Sequence, residues 1–270
     1  MVLEAIISPL TAEKRPWHML FIGALYSSVA IIISLLLFRP YASLVAIFLT
    51  VFASVPVMYS AIKMEEKRDL QIQEPMTLFQ RHGKVISFFT LLFFGYMFSF
   101  ITWYLVLPSS LSGELFEVQQ KTIHDINSPI TGNAAHIKSP LAVIFFNNVK
   151  VLVFCLLFAF FYGFGAIFIL TWNASVIAAA IAKYAQTGTS LLGALPIAFL
   201  RYSIHGYMEI VAYFMGGLAG GIISVAIIRH DVAAVKFKRI LADSSNLIVT
   251  ALALLMVAAV VEVYLNPFSL

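Results

Sequence analysis

The stretch Ile204–Ile228 reads IHGYMEIVAYFMGGLAGGIISVAII, with one carboxylate, Glu209, and no lysine or arginine. An apolar run of roughly 18 residues or more, nearly free of charge, is long enough to cross the hydrocarbon core of a bilayer as a helix. Its glycines pair as Gly216/Gly220 and Gly217/Gly221. Small residues four apart let helix backbones approach closely inside a membrane, where Gly carries less penalty than in a water-exposed helix. This stretch therefore predicts a membrane span packed against other helices.

The rest of the chain repeats the signal. It has 270 residues, 61% of them hydrophobic and 11% charged, and a mean hydropathy of +0.94. Soluble domains carry about 25% charged residues, so a soluble globular domain is excluded. Apolar runs at Met19–Phe38, Ala42–Ile62, Val85–Leu107, Val151–Thr171, Ala174–Leu200, Ile204–Ile228 and Leu247–Leu265 predict an all-α, polytopic membrane bundle of about seven helices. The fifth run is expected to be a broken span, because Gln186-Thr187-Gly188-Thr189 interrupts it; a re-entrant pair fits the same residues. Residues 1–62 read as an N-terminal segment plus a hairpin, 63–84 as a basic cytoplasmic loop, and 85–270 as a five-span core. A long outer loop is expected at 108–146. Met1–Leu10 reads as an interfacial helix or a frayed end, and Glu4 in its apolar patch does not suit a signal peptide.

Charge sets an expected orientation, since cytoplasmic loops are enriched in Lys and Arg. With the N-terminus inside and seven crossings, Lys14, Arg15, Lys63, Lys67, Arg68, Arg81, Lys84, Arg229, Lys236, Lys238 and Arg239 lie inside. Arg39, Lys121, Lys138, Lys150 and Arg201 lie outside, and Lys183 lies within a span. Eleven against five favours a multi-pass plasma-membrane protein with a cytoplasmic N-terminus and an outer C-terminus. The net charge of +4 belongs to those loops and not to nucleic-acid binding. A single cysteine, Cys155, rules out an intrachain disulfide. No phosphate-binding glycine loop or His-Glu-x-x-His helix occurs.

His205 and Glu209 are four apart and share a helix face. An ionisable group in a span is either functional or a hydrogen-bonding pin between helices. Asn147-Asn148 is expected to precede the fourth span and to cap it or to bond Glu209. His124 and His136, with His205 and Glu209, are candidate ligands for zinc or another divalent metal, although their spacing follows no zinc pattern. No cofactor is otherwise expected. Lys183 reads as an ion relay or as a lysine snorkelling into a wet crevice. The paired glycines, with Gly163 and Gly165, suit intrachain packing or a homodimer.

Asn147-Asn148 ahead of an apolar span, Gly163 and Gly165 within it, Asn173 after it, and His205-Gly206 followed by Glu209 and a Gly/Ala-rich helix together resemble the stage II sporulation protein M family. The chain departs from that pattern at Asn173-Ala174, where the family often has Asn-Gly. The resemblance implies a five-span plan over Val85–Leu265 with one long outer loop, to which the hairpin Met19–Ile62 is added. It marks Asn147, Asn148, Asn173, His205, Gly206 and Glu209 as binding candidates. The founding members are membrane scaffolds that recruit cell-wall-degrading enzymes when a forespore is engulfed. The resemblance thus implies a non-catalytic scaffold with membrane or extracytoplasmic protein partners. A small transporter or channel built on the broken fifth span and Glu209 is the alternative, and an intramembrane metal-dependent hydrolase a third.

Overall fold

The computed structural model describes residues 17–69, 78–131, 140–162, 166–188, 190–228 and 235–265. The expectation for Met1–Leu10 lies outside them. Among the described residues there are helices and turns and no strand. The helices are α1 (His18–Leu37), α2 (Ala42–Asp69), α3 (Leu78–Val106), α4 (Ser109–Leu115), α5 (Glu117–Thr131), α6 (Pro140–Tyr162), α7 (Ala166–Thr187), α8 (Leu191–Ile228) and α9 (Val235–Leu265). Seven of them, all but α4 and α5, are long and apolar enough to cross a membrane.

Proline sets several of the boundaries. Pro40 sits in the short 3-10 turn Arg39–Tyr41 between α1 and α2, Pro108 precedes α4, and Pro140 opens α6. A proline at a helix start loses nothing, because the N–H it lacks has no intrahelical partner there. Pro56 and Pro196 lie inside α2 and α8, which neighbouring helices permit in a membrane bundle.

The seven-span class stands, but four boundaries move. The fourth span runs over Pro140–Tyr162 and not Val151–Thr171. Asn147-Asn148 therefore lies inside α6 and does not precede it. The fifth span is not broken: α7 is one helix over Ala166–Thr187, and the polar residues after it form the connection to α8. Gly188 there packs against Ala194 of α8, so the break marks a helix–helix corner. The segment Leu191–Leu200 belongs to α8, whose 38 residues make it about 57 Å long. Finally, the expected outer loop at 108–146 holds α4, α5 and the first turns of α6.

α8 is the central post of the bundle. In its crossing segment His205–Ile228, 89% of the most apolar stretch is buried, against 72% in α3, 28% in α9 and 17% in α6. It packs on α6, α7 and α9, while the N-terminal helix α1 packs on α3. At the α1–α3 crossing Gly23 and Gly95 face each other, and a Cβ on either would collide with a main-chain carbonyl oxygen of the other helix, Leu92 or Leu20. Polar groups then bind the same hairpin to α3. Ser28 bonds Ser99 at 3.0 Å and accepts from Trp103 Nε1 at 3.1 Å. Tyr96 donates to Ser54 at 2.6 Å, and Ser54 donates on to the Thr50 carbonyl.

α4 and α5 are wedged into one end of the bundle. Leu115 and Phe116 are fully buried, and the Phe116 ring packs on Tyr104 and Phe100 of α3 at 5.0 and 6.2 Å. Gln119 of α5 accepts from Ser43 of α2 at 2.7 Å and donates to Ser175 of α7 at 3.2 Å. Outside, Arg39 grips Glu114 of α4 with two hydrogen bonds, 2.7 and 3.0 Å.

Candidate functional site

The polar motif converges where α6 meets α8. Asn148 is buried on the face of α6 that also carries Leu152, Cys155 and Ala159. That face meets the glycine stripe of α8. A Cβ on Gly216 would strike the Leu152 side chain, and one on Gly220 would strike the Leu156 carbonyl oxygen. A Cβ on Gly217 would stand 2.9 Å from Ala166, the first residue of α7. These glycines are thus spent on contacts within the chain. Gly221 is buried in the same helix. Gly163 and Gly165 fall between α6 and α7, outside the described residues.

With the backbones this close, short side chains can bridge them. Asn148 Nδ2 donates to Glu209 Oε1 at 2.6 Å. Asn148 Oδ1 accepts from the Tyr213 hydroxyl at 2.9 Å. Glu209 and Tyr213 are four apart on α8, so one amide spans a full helical turn and uses both its donor and its acceptor. Such amide bridges between spans typically contribute about 1 kcal/mol each. Glu262 of α9 comes within electrostatic reach of the Glu209 carboxyl, so helices α6, α8 and α9 all contribute to this cluster.

The other candidates are placed as follows. His205 is buried, and its Nδ1 has no hydrogen-bond partner among the described residues. Gly206 is buried, yet a Cβ added to it would meet nothing within 4 Å; it borders a cavity of about 20 Å³ among Phe94, Met97, Ile177 and Ile210. That is room for about one water molecule, in an apolar lining. Asn173 lies in α7 and not after a span, and its side chain bonds the Ile169 carbonyl one turn back at 2.7 Å; it does not join the Asn148 cluster. Asn147 is exposed on α6. Lys183 is exposed near the end of α7. His124 is exposed on α5, 3.7 Å from Asp125, and His136 lies outside the described residues. Among the described residues, no three His, Cys, Asp or Glu side chains come together as a metal site.

One buried pair has no counterpart in the sequence reading. His82 of α3 bonds Glu65 of α2 at 2.7 Å, with side chains 1% and 4% exposed. Both fall in the stretch expected to be a solvated basic loop, whose charge density masks the continuation of two helices.

Residues 84–267 match the stage II sporulation protein M family. The chain belongs to this family. The matched region holds all of the Asn148–Glu209–Tyr213 cluster, and the hairpin of α1 and α2 lies ahead of it. No curated protein and no solved structure matches the chain.

Proposed function

We propose that this family member is a non-catalytic membrane scaffold that recruits other proteins to its bundle. The observation that carries this reading is the closed bridge of Asn148 to Glu209 and Tyr213. In that bridge the most unusual polar groups of the family region satisfy one another across two helices. A lock of this kind fixes the shape of a bundle, as a scaffold requires. The continuous α7 also removes the broken helix on which a transport path was expected. The charge asymmetry supports a plasma-membrane protein with the N-terminus inside and the C-terminus outside, which would place α4 and α5 on the outer face.

The test is affinity purification of the tagged full-length chain from native membranes in a mild detergent. Stoichiometric recovery of a partner supports recruitment, and repeated recovery of the chain alone removes it. A second reading, a small transporter, draws on one observation: two carboxylates, Glu209 of α8 and Glu262 of α9, interact electrostatically. Proteoliposome flux that Glu209→Gln abolishes would favour it. Absence of flux for common ions and metabolites would exclude it.

A further inference from the structure

α6 has two opposite stripes. One is buried against α8 and consists of Asn148, Leu152, Cys155 and Ala159. The other is exposed and consists of Val143, Asn147, Lys150, Phe154, Leu157 and Phe161. The exposed residues alternate steps of four and three along the helix, the spacing of a seam that packs against a second helix. Lipid alone accounts for the apolar members of the stripe. It does not account for Lys150.

Lys150 is the eleventh residue of a 23-residue helix and is exposed on its outer side. Among the described residues it has no ion pair. Ten residues of helix separate it from Pro140, a rise of about 15 Å. A lysine stem covers only a fraction of that distance, so snorkelling does not release the charge from the apolar zone. Lys183 makes the contrast, since it lies within one turn or so of the end of α7 and escapes easily. An unpaired charge facing lipid in the middle of a span is costly and is rarely retained without a partner. Asn147, one turn away on the same stripe, adds a second polar group at the same seam.

We propose that this stripe of α6 docks a membrane-spanning helix of another protein, one that carries an aspartate or glutamate at the depth of Lys150. The proposal rests on the recruiting role above and names the chemistry of the partner. Charge complementarity selects the occupant. A second copy related by a two-fold axis along the membrane normal would set α6 beside its own parallel image and bring one Lys150 toward the other. A carboxylate-bearing helix instead neutralises the lysine and covers the exposed rings of Phe154 and Phe161.

The test is proximity crosslinking in native membranes with the full-length chain. A benzophenone maleimide is attached to Leu157→Cys in a Cys155→Ala background, with Val249→Cys on the exposed face of α9 as the control position. The expected adduct at position 157 lies in an apolar segment of a partner that contains Asp or Glu. Its yield falls at least about ten-fold with Lys150→Glu, persists with Lys150→Arg, and returns when the partner's carboxylate is changed to lysine. Equal adducts at position 249, adducts to lipid or to a second copy only, a partner segment with no carboxylate, or indifference to Lys150→Glu each overturn the proposal. Loss of the α6 adduct while a partner still co-purifies refutes the stripe and leaves recruitment standing. Absence of any co-purifying protein removes both.

Discussion

Asn148 on α6 donates to Glu209 on α8 at 2.6 Å while accepting from Tyr213 one turn further along the same helix. Both functions of one amide are therefore used, and neither neighbour is easily satisfied without it. Replacing Asn148 by leucine strands a carboxyl and a hydroxyl in a packed interface. Stranded buried polar groups cost about 1–3 kcal/mol. Asn148→Leu should lower the detergent-solubilised unfolding midpoint by several degrees. Glu209→Gln, which keeps an oxygen to accept from Nδ2, should stay near wild type. A double-mutant cycle over Asn148→Leu and Tyr213→Phe checks the coupling. Strictly additive losses would mean that the bridge is not a unit.

The glycines of α8 and α3 divide by what surrounds them. Gly220→Ala drives a methyl group into the Leu156 carbonyl oxygen of α6, and Gly95→Ala does the same at Leu20 of α1. Backbone atoms cannot turn aside, so each substitution should cost about 1–3 kcal/mol as overpacking. Gly206→Ala and Gly83→Ala meet nothing within 4 Å, and alanine's better helix propensity should leave them neutral or up to about 1 kcal/mol more stable. Thermal shift on the four variants measures the contrast. Equal destabilisation of all four would contradict these helix crossings.

These two cases also show what could be read from the sequence. The paired glycines of α8 were legible because the small-xxx-small spacing is itself the packing signal. Gly23 and Gly95 were not, since each is a lone glycine whose partner sits on another helix. The ends of α6 misled because Asn147-Asn148 looks like a cap. It lies mid-helix because Pro140 starts the helix earlier and Asn148 finds its partners on α8, a tertiary fact with no local trace. The α7–α8 corner looked like a broken span for the same reason, since both flanks are apolar. α5 passed for a loop because its charged residues Glu117, Lys121, His124 and Asp125 face out, while Phe116 and Gln119 carry the burial.

The His82–Glu65 bond closes the α2–α3 hairpin in a site where both side chains are buried. Removing either side chain deprives the other of this 2.7 Å hydrogen bond in a buried site. His82→Leu or Glu65→Leu alone should each cost about 1–3 kcal/mol, whereas the double replacement should recover much of the loss. Unfolding midpoints of the three variants decide this. A double variant no better than the sum of the singles would assign these side chains to separate roles.

The Glu114 carboxyl sits below the usual carboxylate range because Arg39 donates hydrogen bonds to it, with the guanidinium charge adding to the effect. A carboxyl with a depressed folded-state value stabilises the fold above its unfolded value. That contribution fades as pH falls through the folded value. Wild type should therefore protect α4 from proteolysis better than Glu114→Gln at neutral pH, and the two should converge under acid conditions. An acid-resistant protease follows the difference across the titration. A gap between the two proteins that stays constant down to strongly acidic pH would show that the ion pair does not hold α4.

The charge asymmetry makes the expected orientation testable. Lys150 joins Lys183 within a spanning helix, and the other basic residues keep the sides expected from the sequence. Their excess on the inner side predicts the orientation. In a Cys155→Ala background, Lys121→Cys on α5 should react with a membrane-impermeant maleimide added to intact cells. Lys63→Cys, exposed near the other end of the bundle, should react only after permeabilisation. The reverse pattern would invert the protein in the membrane and place α4 and α5 in the cytoplasm, where extracytoplasmic partners could not reach them.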